Sequence, residues 1–125
     1  MGASGYRDLL VWRLAMDLAQ QVYEVTRTFP RQEIYGLTSQ MRRAAVSIPS
    51  NIAEGSGRAT RADYLHFLRI AKGSLRELET QIELAQRIGL MEADSEHRLQ
   101  TLTTSVGKLL DRLIRSLSPQ KPPES

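Results

Sequence analysis

The sequence predicts an all-α protein, an antiparallel up-down-up-down four-helix bundle. Four segments carry apolar residues at alternating spacings of three and four, which place side chains on one face of a helix. No segment requires the period of two residues that is typical of strands. Glycine or proline closes each segment, and the connections are short, so consecutive helices are expected to run in opposite directions.

The first helix is predicted over about residues 8–28. Its apolar residues follow a spacing of 4-3-4-3-4, namely Val11, Ala15, Leu18, Val22, Val25 and Phe29. Pro30 pushes the residue before it out of the helical region, so the helix is expected to end there.

The second helix is predicted over about residues 36–55 and contains Pro49. Its stripe consists of Leu37, Met41, Ala44, Ile48 and Ile52, and Gly55 and Gly57 act as stop signals. Pro49 removes one backbone donor and presses on the carbonyl group of Ala45, at about 3 kcal/mol. Either the helix is kinked at Pro49 and held by its neighbours, or a new helix begins there. We expect the kink.

The third and fourth helices are predicted over about residues 61–88 and 95–117. The third keeps its heptad spacing throughout, in Tyr64, Leu68, Ala71, Leu75, Leu78, Ile82 and Ala85. Thr60 and Asp63 resemble a capping box at its start, and Gly89 ends it. The fourth follows Leu99, Leu102, Val106, Leu109 and Leu113. Residues 1–117 are therefore expected to form a single domain, with a flexible tail over 118–125.

Composition excludes several classes of protein. The 125 residues are 41% hydrophobic and 25% charged, the balance of a soluble globular domain. No apolar run approaches the ~20 residues that span a bilayer, and the N-terminus lacks the apolar core of a signal peptide, so a cytoplasmic protein without membrane contact is expected. Cysteine is absent, and His66 and His97 are far apart, which predicts neither a disulfide nor a structural metal.

Basic residues concentrate in the first part of the chain. Residues 1–76 carry a net charge of +5, whereas residues 77–125 carry −2. Seven basic residues face only Glu54 and Asp63 within residues 42–76, namely Arg42, Arg43, Arg58, Arg61, Arg69, Lys72 and Arg76. The last three share one helix face and are candidates to follow a phosphate backbone. The alternative is a solvated face that keeps the protein soluble. Tyr64 could stack on a base, but its heptad position favours core packing.

Polar residues surround Pro49 and face a similar set on the third helix. The spacing i, i+4, i+7 joins Ser47, Asn51 and Glu54, and the spacing i, i+3, i+7 joins Ser74, Glu77 and Gln81. The favoured interpretation is a hydrogen-bonded junction that satisfies carbonyl groups freed near Pro49 and fixes the register of the two helices. A metal-dependent hydrolase using Glu54 and Glu77 is the third-ranked hypothesis, because neither histidine lies three residues after a glutamate. No catalytic, cofactor-binding or metal-binding residue is therefore assigned.

Two features suggest contact with another surface. Gly73 lies inside the third helix at a cost of about 1 kcal/mol relative to alanine, which indicates the close approach of another backbone, within the bundle or between subunits. Six apolar residues lie outside the heptad stripes, namely Trp12, Leu65, Phe67, Ile70, Leu84 and Ile88. They favour an oligomer interface, although long side chains could instead lie over the edges of the bundle.

Four sequence segments carry a family resemblance. They are Leu9-x-x-Trp12, Phe29-Pro30-x-x-Glu33-x-Tyr35-Gly36-Leu37-Thr38-Ser39-Gln40, Ser47-Ile-Pro-Ser-Asn-Ile-Ala-Glu-Gly55 and Ala71-Lys-Gly-Ser-Leu-Arg-Glu77. The chain resembles, over roughly residues 6–117, the four-helix-bundle proteins encoded in intervening sequences of bacterial 23S rRNA genes. That family is similar in fold to the accessory variability determinant proteins of diversity-generating retroelements, which form pentameric barrels and associate with a reverse transcriptase and nucleic acid. The resemblance implies a ring-like homo-oligomer of five subunits, a connection to nucleic acid, and no enzyme.

Two functional hypotheses follow. The first is a non-enzymatic homo-oligomer that binds RNA or DNA through its arginine-rich surface, as an rRNA intervening-sequence protein or a reverse-transcriptase accessory factor. The second is an adaptor or assembly protein whose partner is another protein, with no direct binding of nucleic acid.

Overall fold

The computed structural model describes residues 5–119 and contains four α-helices. They are α1 (Leu10–Thr26), α2 (Leu37–Ser56), α3 (Arg61–Arg87) and α4 (Ala93–Leu117). Single 3-10 turns cover Gly5–Asp8 and Arg31–Glu33, and residues 5–119 contain no strand. The predicted all-α class is confirmed, and the predicted helices match the observed ones to within about two residues at each end.

The helices form a four-membered ring of neighbours. Each helix packs against the next along the chain, and α1 packs against α4, whereas the Cα atoms of the diagonal pairs α1/α3 and α2/α4 do not approach within 8 Å. Helices α2 and α3 run in opposite directions. Ser47 contacts Ser74, whereas Gly55, further along α2, contacts Phe67, which comes earlier in α3. The predicted antiparallel bundle is confirmed. Its centre is filled by fully buried side chains from all four helices, led by Leu18, Met41, Ile48, Ile52, Leu68, Leu78, Ile82, Leu99 and Leu110.

The buried face of α4 differs from the predicted one. Leu99 and Val106 are buried as expected, but Leu102 and Leu109 are only half-buried. Thr103 is fully buried instead, and its hydroxyl group donates a hydrogen bond to the carbonyl oxygen of Gln100 at 2.8 Å. Because the helix backbone satisfies this hydroxyl, a polar residue occupies a core position that the apolar pattern did not include.

Both ends of α3 follow their sequence signals. The hydroxyl group of Thr60 accepts a hydrogen bond from the backbone N–H of Asp63 at 3.1 Å, which confirms the predicted N-cap. At the other end, the backbone N–H of Leu90 donates to the carbonyl oxygen of Ala85 at 2.9 Å. Gly89 lies between them with φ = +83°, a left-handed conformation that glycine adopts without strain.

Helix α2 runs without interruption from Leu37 to Ser56, so the alternative in which a new helix begins at Pro49 is wrong. The predicted kink at Pro49 stays a prediction. The close approach between backbones occurs at Gly55, where an added Cβ atom would lie 2.9 Å from Cβ of Phe67. Apart from the nearby backbone of its own helix, an added Cβ at Gly73 would meet no atom of residues 5–119 within 4 Å. Of the two alternatives for Gly73, the close approach within the bundle is therefore wrong, and the one between subunits stays a prediction.

The extent of the domain, residues 1–117, stays a prediction. The last six residues of the predicted tail, 120–125, lie outside the described residues, as do residues 1–4. Within residues 5–119, none of the helices is both long enough and apolar enough to span a lipid bilayer.

Candidate nucleic-acid interface

The structure divides the seven predicted basic residues among three places. Arg69, Lys72 and Arg76 lie on α3. Arg42 and Arg43 lie on α2, and Arg58 and Arg61 flank the turn between the two helices. The seven residues therefore do not form one continuous strip.

The row on α3 lies along its boundary with α4. Nζ of Lys72 donates a hydrogen bond to Oδ1 of Asp111, and both side chains are partly exposed. Arg69 and Arg76 lie one turn on either side of Lys72 and are exposed. Within the described residues neither arginine has an ion pair or a side-chain hydrogen bond. Their guanidinium groups are therefore available to an anion.

A second basic row on α4 faces the first. Lys108 and Arg115 lie three residues before and four residues after Asp111, so they share its side of the helix, with Arg112 beside them. All three are exposed. Because α3 and α4 are antiparallel, the Arg115 end of this row lies beside Arg69, and the Lys108 end lies beside Arg76. We name the combined surface the α3/α4 basic face, made of Arg69, Lys72, Arg76, Lys108, Arg112 and Arg115.

The α4 row was missed because the net charge of residues 77–125 is negative. The acidic residues responsible include Glu92, Asp94 and Glu96, which lie at the opposite end of α4 from Arg112 and Arg115. The spacing of Lys108, Arg112 and Arg115 around Asp111 was the sequence signal that could have identified this row. The Lys72–Asp111 contact shows that this row adjoins the one on α3.

Arg58 is already engaged within the chain. Its Nη2 atom lies 2.8 Å from Oε2 of Glu54, and its guanidinium lies over the ring of Phe67 at 4.6 Å. Glu54 therefore belongs to an ion pair near the C-terminal end of α2. Ser74, one turn before Glu77 on α3, contacts Ser47, so Glu77 lies opposite the middle of α2. The two carboxylates considered for a metal are therefore not brought together.

No group of three or more histidine, aspartate or glutamate side chains in residues 5–119 is arranged to hold a metal ion. His66 and His97 are both exposed, and the ring of His66 lies edge-on to Phe67 at 5.4 Å. The metal-dependent hydrolase hypothesis gains no support from these positions.

The polar residues around Pro49 form a junction between α2 and α3. The hydroxyl oxygens of Ser47 and Ser74 are 2.7 Å apart. Nδ2 of Asn51 donates to the carbonyl oxygen of Ser47 at 2.8 Å and approaches its hydroxyl oxygen at 3.0 Å. The side chain of Asn51 thus reaches the carbonyl group of Ser47, not that of Ala45, which the sequence indicated as the one freed by Pro49. The junction links the two helices at one register.

An open groove of about 940 Å³ lies beside this junction. Arg42 and Arg43 line it together with Ser47, Ser74 and Glu77. Nε of Arg42 donates to the hydroxyl oxygen of Thr26 at 2.9 Å, and its guanidinium lies 4.6 Å from the centroid of the Tyr23 ring. Arg42 is therefore held against α1, whereas Arg43 is exposed.

Comparison with known proteins decides the family. The sequence model of the 23S rRNA-intervening sequence protein family matches residues 7–112. The chain belongs to this family. The predicted resemblance is thereby confirmed.

A solved structure supports the same assignment. The chain is similar to a protein of unknown function from the S23 ribosomal protein family of Bacteroides thetaiotaomicron, with a TM-score of 0.77 and 25% sequence identity. The similarity covers 85% of this chain and 99% of that protein. A comparison with curated protein sequences finds no match.

The start of α2 lies in the second of the four segments that carry the family resemblance, and its contacts give some of those residues a structural role. Oε1 of Glu33 accepts a hydrogen bond from the backbone N–H of Leu37 at 3.2 Å, which satisfies one free donor at the helix N-terminus. Gly36 lies between them with φ = −110° and ψ = −117°. Thr38, Ser39 and Gln40 follow and line the open groove.

Tyr64 packs within the bundle of this family member. It is half-buried against the core cluster, and burial raises the pKa of its hydroxyl group above the ordinary value of 10.0. This placement agrees with the core position expected from its heptad spacing.

The six apolar residues outside the heptads divide into two groups. Leu65 is buried, and Trp12 and Phe67 are half-buried, so these three belong to the bundle itself. Ile70, Leu84 and Ile88 are 39%, 47% and 55% exposed. Together with Gly73 they follow one outward side of α3, with successive separations of three, eleven and four residues along the chain.

Proposed function

We propose that this 23S rRNA-intervening sequence protein is a non-enzymatic homo-oligomer that binds nucleic acid through the α3/α4 basic face. RNA is the expected polymer. The observation that carries the proposal is the pairing of two basic rows at the Lys72–Asp111 contact. We propose that the protein acts as an accessory protein, either for an insertion in ribosomal RNA or for a reverse transcriptase.

The dimensions of this face suit a phosphate backbone. Each row extends over eight residues, so its ends are about 10 Å apart at a rise of 1.5 Å per residue. Packed helix axes lie about 8–10 Å apart, which sets the distance between the rows. Six basic side chains surround one acid, Asp111, and four of the six are arginines. The expected mechanism is electrostatic positioning, with counterions released as phosphates are contacted.

The proposal assigns no catalytic group. Glu54 is paired with Arg58, and the polar residues of α2 and α3 are linked to one another across the helix boundary. These contacts support a structural role for the polar junction.

The exposed side of α3 supports the homo-oligomer. Ile70, Leu84 and Ile88 present apolar surface, and Gly73 leaves room between them for a neighbouring backbone. A ring of five subunits is what the family resemblance implies. Light scattering on a size-exclusion column tests this part, since the proposal predicts a multiple of 14.1 kDa and a monomer contradicts it.

A fluorescence-anisotropy titration with labelled RNA at several salt concentrations tests the binding. We expect tight binding at low salt that weakens steeply as salt rises. The triple variant Arg69→Ala, Lys72→Ala, Arg76→Ala is expected to bind much more weakly. An absence of binding at low salt, or equal binding by this variant, contradicts the proposal.

The second candidate function is a protein–protein adaptor without direct contact to nucleic acid. It is supported by Ile34 and Tyr35 in the loop between α1 and α2, which are 50% and 95% exposed. Crosslinking in cells, followed by identification of the bound molecules, separates the two functions. Recovery of RNA supports the first, and recovery of one protein without RNA supports the second.

A further inference from the structure

We propose that the open groove beside the Ser47–Ser74 junction is a binding site for a nucleoside 5′-monophosphate, either free or at the end of a nucleic-acid strand. The groove lies on the α2 side of α3, whereas the α3/α4 basic face lies on the α4 side. The site is thus separate from the surface assigned to the phosphate backbone. Its volume of about 940 Å³ is within the range of small-molecule sites.

Arg42 presents a preorganised guanidinium group to this groove. Thr26, which is 2% exposed, accepts the hydrogen bond from Nε of Arg42, and Tyr23 supports the guanidinium plane. These contacts leave the two terminal nitrogens without a hydrogen-bond partner among the described residues. A planar guanidinium whose conformation is already restricted loses little entropy when it binds a phosphate through two hydrogen bonds.

Arg43 and Glu77 contribute opposite charges that do not neutralise each other. Both line the groove, yet no nitrogen of Arg43 lies within 4 Å of a carboxylate oxygen of Glu77. Within residues 5–119 neither has another ion-pair partner. The groove therefore combines two cationic groups for an anion with one carboxylate for a hydrogen-bond donor. A simple anion could bind the two guanidinium groups, but it would leave the carboxylate of Glu77 without a hydrogen-bond donor.

Gln81 lies one turn after Glu77 on α3 and contacts its carboxylate. Its Nε2 atom approaches Oε2 of Glu77 at 3.4 Å, which is a long hydrogen bond. Its Oε1 atom is buried and has no hydrogen-bond donor among the described residues. Gln81 does not itself line the groove, so it acts on a ligand only through the carboxylate of Glu77. The ribose hydroxyls and base amino groups of a nucleotide are donors that this carboxylate can accept.

Ser47 and Ser74 complete the set of polar groups. Their hydroxyl oxygens are 2.7 Å apart and lie in the same groove as Arg43 and Glu77. Hydroxyl groups both donate and accept, so they can bind either a phosphate oxygen or a ribose hydroxyl. A phosphate attached to a hydroxylated ring matches the guanidinium groups, the carboxylate and the hydroxyl pair together.

Isothermal titration calorimetry of the full chain with adenosine 5′-monophosphate tests the site, with adenosine and inorganic phosphate as partial ligands. We expect the nucleotide to bind at least tenfold more tightly than either. Arg42→Lys, which retains the charge but loses the planar fork, is expected to weaken nucleotide binding about tenfold. Glu77→Gln is expected to weaken nucleotide binding while leaving the affinity for phosphate unchanged or higher.

Arg61→Gln is the matched control, because Arg61 is exposed and lies on the turn side of α3. It is expected to leave nucleotide binding unchanged. Circular dichroism of each variant shows whether the fold is retained. Equal losses in Arg42→Lys and Arg61→Gln overturn the proposal, as does equal affinity for phosphate and nucleotide.

The two sources of the ligand are distinguished with a short single-stranded oligonucleotide that carries either a 5′-phosphate or a 5′-hydroxyl. A preference of about tenfold for the phosphorylated strand, lost in Arg42→Lys, assigns the site to a strand end. Binding of the free nucleotide without that preference assigns it to a soluble nucleotide. No measurable binding of either ligand at millimolar concentration overturns the proposal.

Discussion

Lys72 on α3 donates a hydrogen bond to Asp111 on α4, and this contact joins the two basic rows of the α3/α4 basic face. Asp111 is the acid at the centre of that face, so it holds Lys72 in place and also lowers the positive potential. These two effects on nucleic-acid binding oppose each other. Since both side chains are partly exposed, the contact itself stabilises the fold by less than about 1 kcal/mol.

The change Asp111→Asn is therefore predicted to strengthen RNA binding. It removes one negative charge beside five exposed cations, and it releases the sixth, Lys72, toward the ligand. The measurement is RNA affinity as a function of salt concentration. Glu24→Gln, on the exposed side of α1, changes the net charge equally and serves as control. Equal effects of the two changes indicate that net charge, and not this face, controls binding.

Gly55→Ala is predicted to destabilise the bundle by about 1–3 kcal/mol. The new Cβ atom would lie 2.9 Å from Cβ of Phe67 and 3.2 Å from the carbonyl oxygen of Tyr64, so α2 and α3 must move apart. Urea unfolding measures the loss. Gly107→Ala is the control, because its Cβ atom would make an ordinary contact of 3.4 Å with Leu75, and we expect that change to be neutral or stabilising.

Gly73→Ala is predicted to weaken the homo-oligomer without reducing helix content. Among residues 5–119, nothing except the nearby backbone of α3 lies within 4 Å of the new Cβ atom, so the added methyl group is expected to meet a partner that packs against this side of α3. Light scattering at several protein concentrations measures the mass. An unchanged mass together with a higher unfolding free energy shows that Gly73 faces solvent and removes it from the proposed interface.

The stability of the fold is predicted to fall above pH 10 through Tyr64. Burial raises the pKa of its hydroxyl group in the folded state, while the unfolded value is near 10. The stabilisation by neutral Tyr64 is thus fully present below pH 10 and is lost as the pH rises through the folded pKa. Urea unfolding at pH 9 to 11 is compared between the wild type and Tyr64→Phe. A shallower decline is expected in the variant, and identical declines contradict the assignment.

Helix boundaries and most of the core could be predicted from the sequence because their signals are local. The heptads of α1 and α3 directly specify their buried faces, and Thr60 and Gly89 specify the ends of α3. Thr103 was missed because its burial depends on a hydrogen bond to its own helix backbone. The roles of Gly55 and Gly73 could not be distinguished, since the register between helices decides which glycine lies at a crossing.

Predicting the candidate sites also required knowing the register between neighbouring helices. Arg69, Lys72 and Arg76 were identified from their spacing, but Lys108 and Arg115 join them only through the contact between Lys72 and Asp111. Similarly, Thr26 and Arg42 are separated by sixteen positions, and their hydrogen bond forms only when α1 packs against α2. Linear charge counts carry no information about either arrangement.

The most direct test of the proposed function compares two double variants of equal net charge in an RNA-binding titration at low salt. One is Arg69→Gln with Arg76→Gln, in the α3/α4 basic face, and the other is Arg27→Gln with Arg31→Gln, at the end of α1 and in the following turn. All four arginines are exposed. We expect the first pair to weaken RNA binding at least tenfold and to reduce its salt dependence, and the second to change binding little. Equal losses in both pairs, or unchanged binding in the first, contradict the proposed function.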